Sequence, residues 1–142
     1  MIGKFNRVFP AILIAGLSLS VRAEVEVKVH ITDIKNDNGT IHVSLFSEEL
    51  QDGFPEGKPL EKKIVDAKKE GVTVVFQISE PGSYAISVMH DENNNGEIDK
   101  NFIGIPEEPY GNSGKRVRMK PTYKDSAFTV RDRNLELNIT IH

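Results

Sequence analysis

Between residues 25 and 31 the chain alternates without a break. Val25, Val27, Val29 and Ile31 are apolar, and Glu26, Lys28 and His30 stand between them. A period of two puts the four apolar side chains on one face of an extended strand and the polar three on the other. The pattern returns at Ile41, Val43 and Leu45, with His42 and Ser44 opposite. Lys35-Asn36-Asp37-Asn38-Gly39 between the two runs is turn chemistry, so the runs are expected to pair as a hairpin. Val72–Ile78 reads as a strand, Pro81-Gly82 as a turn, and Tyr84–Met89 as another strand. Ala127–Val130 and Leu135–Ile141 are expected to form a closing hairpin, and Glu61–Asp66 a short edge strand. No segment carries a convincing amphipathic helical period. About seven short strands separated by turns predict an all-β chain: an antiparallel β-sandwich, immunoglobulin-like or prealbumin-like, with a closed barrel as the alternative.

The first 23 residues are of another kind. Lys4 and Arg7 precede the apolar run Val8–Val21, and Val21-Arg22-Ala23 supplies small residues at the −3 and −1 positions of a signal-peptidase site. This three-part pattern predicts a cleaved secretory signal peptide over 1–23 and a single sandwich domain over 24–142. The run is shorter than the roughly 20 residues of a spanning helix, so no transmembrane segment is expected after cleavage. The expected location is therefore outside the cytoplasm, periplasmic or extracellular. Cleavage removes three of the 18 basic residues and none of the 21 acidic ones, leaving a domain more acidic than the whole chain's net −3. That balance argues against nucleic acid as a partner. With no cysteine, an exported domain of this size has only its core, or a bound ion, to stabilise it.

Two connections are long enough to suggest function: Ser47–Leu60, and the stretch from His90 to about Thr122. The second opens on Met89–Asn101, MHDENNNGEIDKN. Calcium takes hard oxygen ligands, and oxygen-bearing side chains at alternate positions can wrap one ion. With Asp91 as position 1, Asn93 and Asn95 fall at 3 and 5, and Gly96 at the bend. Glu97 follows at 7, as a backbone carbonyl donor, and Asp99 at 9. Position 12, a bidentate glutamate in an EF-hand, is Phe102, and a strand rather than a helix precedes the loop. The expected site is thus not an EF-hand but a loop of similar spacing on a β scaffold. Its ligands are Asp91, Asn93, Asn95, Glu97 and Asp99, with a further oxygen from Glu107, Glu108 or Asp125. The expected ion is Ca2+, structural and weakly held. The plain alternative is a polar turn whose Asn and Asp side chains cap their own backbone.

The run Pro81–Gly111, followed by PTYKDSAFTV (Pro121–Val130) and preceded by Phe54-Pro55, resembles the bacterial exported family catalogued as domain of unknown function 2141. The motifs that carry the likeness are PG-x-YA, HDEN-x-NG and GIP-x-E-x-YG. The resemblance implies a small, secreted, all-β protein, and it implies no activity. After Tyr110-Gly111 this chain continues Asn112-Ser113-Gly114, where the family tends to continue with phenylalanine, serine and asparagine. The PG-x-Y start and the acidic loop are also similar to β-sandwich repeats of bacterial surface proteins whose loops bind calcium.

Three other constellations bear on function. His90 with Glu107 or Glu108, and Tyr110 and Tyr123 nearby, could build a metal-assisted hydrolase. Against that, there is no cysteine nucleophile, nucleophile elbow, phosphate-cradling loop or zinc-spaced histidine pair. Lys115, Arg116, Arg118, Lys120 and Lys124 form a basic cluster, expected as a solvated strand face with Val117 and Met119 turned inward; the alternative is contact with the phosphates of membrane lipids or another anionic surface. Phe102–Tyr110 (FIGIPEEPY) is expected as a lid over one end of the sandwich rather than an exposed rim. The reading these residues support is a monomeric, non-enzymatic binding or accessory module for a protein or surface ligand, with the hydrolase as its alternative.

Overall fold

Alternation becomes eight strands in the computed structural model, which describes residues 22–117 and 119–142. They are β1 (Val25–Thr32), β2 (Thr40–Ser47), β3 (Glu61–Asp66), β4 (Val72–Ile78), β5 (Gly82–Asp91), β6 (Tyr110–Asn112), β7 (Phe128–Val130) and β8 (Leu135–Thr140). One short 3₁₀ turn, Glu48–Gly53, and one four-residue helix, α1 (Tyr123–Ser126), lie among them. The leader expected over 1–23 falls outside the described residues, apart from Arg22 and Ala23.

The strands form two sheets, ordered β4-β1-β8 and β3-β2-β5-β6, with β7 beside β6 on the same edge of β5. Their inner faces meet in one core of Val25, Val27, Val29, Ile31, Ile41, Val43, Leu45, Phe76, Ile86 and Ile139. This is the expected β-sandwich. Both expected hairpins are corrected, however. β1 pairs with β4 and β8, while β2 pairs with β3 and β5. Likewise β7 pairs with β5, and β8 lies parallel to β1. Both short connections therefore step from one sheet to the other. Alternation fixes which face of a strand is buried, but not which strand lies beside it.

The two edges of the sandwich differ. On one side the sheets are joined, because Tyr110 and His142 exchange backbone hydrogen bonds of 3.2 Å. On the other, the edge strands β3 and β4 do not pair with each other, and Lys63 of β3 reaches across to sit 5.4 Å from the centre of the Phe76 ring. An inward-pointing lysine on an edge strand opposes further strand addition. A second, smaller core covers the outer face of the larger sheet, where Phe46 and Ala85 pack with Phe54 and Tyr123. Phe54 meets Phe46 and Tyr123 edge-on, at 5.2 and 6.1 Å between ring centres. This cluster fixes the Ser47–Leu60 connection and α1 against the sheet, and leaves the opposite end to the long acidic loop.

Candidate functional site

The last two residues of β5 part company at the site. Ile41 opposes His90 and Thr40 opposes Asp91, so the period of two turns His90 toward the core and Asp91 outward beside His42. His90 has no exposed surface, and its Nε2 donates to the carbonyl of Asn38 at 2.7 Å. The Lys35–Gly39 segment, expected as a hairpin turn, instead braces the acidic loop. Gly39 lies at φ +66, and a Cβ there would fall 1.9 Å from the carbonyl oxygen of Asp91. Only glycine allows both that backbone conformation and that approach.

Asp91 is almost wholly buried, at 1% exposure. Its carboxylate accepts the backbone N–H groups of Asn95 at 3.1 Å and Gly96 at 2.8 Å. The loop thereby folds back over its own first residue, with Asn94 at φ +57 and Gly96 at φ +84 making the bend. Asn93 and Asn95 each close an Asx turn, accepting from Asn95 N and Glu97 N. Their amide nitrogens then converge on Asp99, donating to its two carboxylate oxygens at 2.6 and 2.8 Å. Four of the expected ligands, Asp91, Asn93, Asn95 and Asp99, are thus drawn into one compact turn. For Glu97 the contact in hand is its N–H, not its carbonyl.

The further oxygen expected from outside the loop does not arrive as a ligand. Glu108 is buried at 8% exposure, and both its oxygens are engaged: Oε1 accepts from Glu92 N at 2.9 Å and Oε2 from Asp99 N at 3.0 Å. It straps the start of the loop to its end. Glu107 is exposed, and its N–H donates to Asp99 O. Asp125 lies in α1, where its N–H donates to the hydroxyl of the N-cap Thr122 and its carboxylate accepts from that hydroxyl. In the sequence Glu108 reads as a spare carboxylate. The signal that would correct this is the pair of N–H groups, sixteen and nine residues away, that only the folded loop brings to it.

A polar chain ties the loop to β2. Thr40 donates to Asn94 Oδ1 at 3.0 Å, which leaves its hydroxyl oxygen to accept from His42 Nε2 at 3.1 Å. His42 Nε2 also lies 3.4 Å from Asp91 Oδ2. Burial pushes the His42 imidazole below its ordinary pKa and Lys62 adds to the shift, with Asp91 and Glu108 opposing. The Nδ1 atoms of His42 and His90 are buried without partners.

The donor set suits a hard cation better than a transition metal. It offers two carboxylates and two amides. Among the described residues, however, no three His, Cys, Asp or Glu side chains are grouped to hold a metal of either kind. One cleft is lined by Ile64, Val65 and Val72 and another by Tyr110, Arg116, Asn138 and His142, and neither includes His90, Glu107 or Glu108. Tyr123 is committed to the second core, with its hydroxyl on Ser83.

A sequence profile of uncharacterised proteins conserved in bacteria, DUF2141, matches residues 29–138. The chain belongs to that family. The DUF2141 match runs from within β1 to within β8, and so takes in the acidic loop and its Glu108 strap. No curated protein and no solved structure matches the chain.

Two further expectations are corrected in this DUF2141 domain. Phe102–Tyr110 is not a lid, because Phe102 is 99% exposed and Ile103 and Ile105 stand out beside it. Nor do Lys115–Lys120 form a strand face: no described residue there is in a strand, Met119 is 80% exposed, and Arg118 lies outside the described residues. Pro106, Pro109 and Gly104 keep the first segment off the sheet, so its apolar side chains have no core within reach. No described helix is long and apolar enough to cross a membrane.

Proposed function

We propose that this is an exported, non-enzymatic accessory module whose acidic loop is organised by a calcium ion. The supporting observation is the convergence of Asn93, Asn95 and Asp99 on one another above a buried Asp91. Asp91, Asn93, Asn95 and Asp99 would hold the ion through side-chain oxygens and Glu97 through its carbonyl. The two asparagines would each turn an amide oxygen inward in place of the nitrogen that now meets Asp99. Neutralising Asp91, Glu92, Glu97 and Asp99, which fall within nine residues, removes a repulsion that the loop otherwise carries. No residue in this reading does chemistry on a substrate; the ion would be structural. Export is supported by the leader-like segment ahead of Glu24.

With two carboxylates and no bidentate glutamate, the affinity expected is about 10⁻⁴ to 10⁻³ M. At about 10 mM calcium that corresponds to roughly 1.4–2.7 kcal/mol of added stability. The test is a thermal melt of the chain from Glu24 onward in EDTA and in calcium. The expected rise in Tm is about 5–10 °C, absent in Asp99→Ala. An unchanged Tm in the unsubstituted chain refutes the calcium reading.

A further inference from the structure

The apolar tip that replaces the expected lid is a built feature. Asn101 N donates to Ile105 O and Gly104 N to Asn101 O, each at 2.9 Å. The Asn101 side chain accepts from both Ile103 N and Ile105 N, at 3.1 and 3.0 Å. A bridge between Lys100 and Pro106 closes the stem below, and Gly104 takes the left-handed turn position at φ +83. These bonds hold a tight turn whose large side chains Phe102, Ile103 and Ile105 stand out into solvent. Chains seldom leave such residues together at a protrusion without a use for them.

Two lysines meet on one side of the tip's stem. Glu56 lies between Lys100, at 2.7 Å, and Lys120, at 3.6 Å. This shared carboxylate brings Lys120 up to the stem of the tip. Met119, next to Lys120, is a further large apolar side chain exposed there. From Gly114 to Lys124 the sequence has five basic residues and no acidic one. Glu107, exposed in the stem, opposes them, as does Asp99, whose two amide donors are neutral and leave its charge in place. The acidic balance of the whole domain does not decide the matter, since charges beyond about 8–10 Å are screened at physiological ionic strength.

We propose that Phe102, Ile103 and Ile105 form an insertion wedge for the surface of an anionic lipid bilayer, with Met119 and Lys120 alongside. Size and shape favour lipid over protein. A stable protein contact takes about 800 Å² and some twenty residues from each partner, and this tip is a convex projection of three side chains. A bilayer interface needs no matching concavity: apolar side chains enter the headgroup boundary, and lysines keep their charge among the phosphates. The inference does not depend on calcium, because Asn101 closes the turn without help from the acidic loop.

The test is vesicle flotation in EDTA, using the chain from Glu24 onward, which keeps all eight strands. Vesicles are phosphatidylcholine alone or mixed with about 30% phosphatidylglycerol. The expected result is binding to the mixed vesicles that weakens with salt. Phe102→Ser with Ile103→Ser and Ile105→Ser should reduce it on the order of a hundredfold. Their exposure means the triple variant keeps the unsubstituted Tm. The chain has no tryptophan, so Phe102→Trp introduces a lone reporter whose emission should shift to the blue on the mixed vesicles. No flotation, flotation undiminished by the triple substitution, or a blue shift of the Phe102→Trp variant caused by self-association without vesicles would each overturn the proposal.

Discussion

Replacing Glu108 tests the architecture of the acidic loop apart from any ion. Glu108→Ala removes two charge-assisted hydrogen bonds, at 2.9 and 3.0 Å, that tie Glu92 N and Asp99 N to one buried carboxylate. Each such bond contributes about 1.5–3 kcal/mol. Two terms reduce the sum. The carboxylate's own desolvation is relieved, and both orphaned N–H groups belong to half-buried residues that water can reach. The net loss is about 2–3 kcal/mol, which for a domain of this size lowers Tm by about 6–15 °C. Urea unfolding should show a lower midpoint at unchanged slope. Glu108→Gln, which keeps one acceptor oxygen, should fall between. Calcium should still raise the Tm of both variants, because Glu108 straps the loop and donates nothing to the ion. An unchanged midpoint in Glu108→Ala would refute the strap. A calcium response lost in Glu108→Ala but kept in Asp91→Ala would make Glu108 the ligand instead.

Gly39→Ala should cost on the order of 3 kcal/mol in urea unfolding, since its Cβ would meet Asp91 O at 1.9 Å in a left-handed conformation. Gly96→Ala, at φ +84 with nothing within 4 Å, should cost only about 1–2 kcal/mol; equal losses would contradict the brace. The native pKa of His42 is lowered by burial, so as pH falls through about 6.5 the unfolded chain takes up a proton that the native site resists. Stability should therefore drop as pH falls below about 6.5, level off below the lowered native value, and depend less on pH in His42→Gln. An equal slope in that variant would show that His42 is not the group responsible.

The strands are legible in the sequence because a period of two is a direct print of one buried face. Val25–Ile31 and Leu135–Ile141 need no context to be read as extended and inward-facing. Their partners are hidden. Asp37 Oδ1 accepts from Lys69 N, and Gly39 O from Ala67 N, so Lys35–Gly39 is held by residues some thirty positions on rather than closing a hairpin. The gathering of Asp91, Asn93, Asn95 and Asp99 into one turn is also legible, because alternation of oxygen-bearing side chains is local. The roles of Glu108, His42 and Gly39 are not, since each depends on atoms that meet only across strands. Phe102, Ile103 and Ile105 mislead for a related reason. Apolar composition suggests burial, yet burial requires a core within reach of the segment, and this turn points away from both cores.

Calcium titration by calorimetry on the chain from Glu24 onward bears most directly on whether the convergent side chains of this loop serve an ion. The expected result is one site of about 10⁻⁴ to 10⁻³ M, with magnesium weaker and Asp91→Asn with Asp99→Asn silent. Absence of binding heat together with an unshifted melting curve, or binding that survives both substitutions, would contradict it.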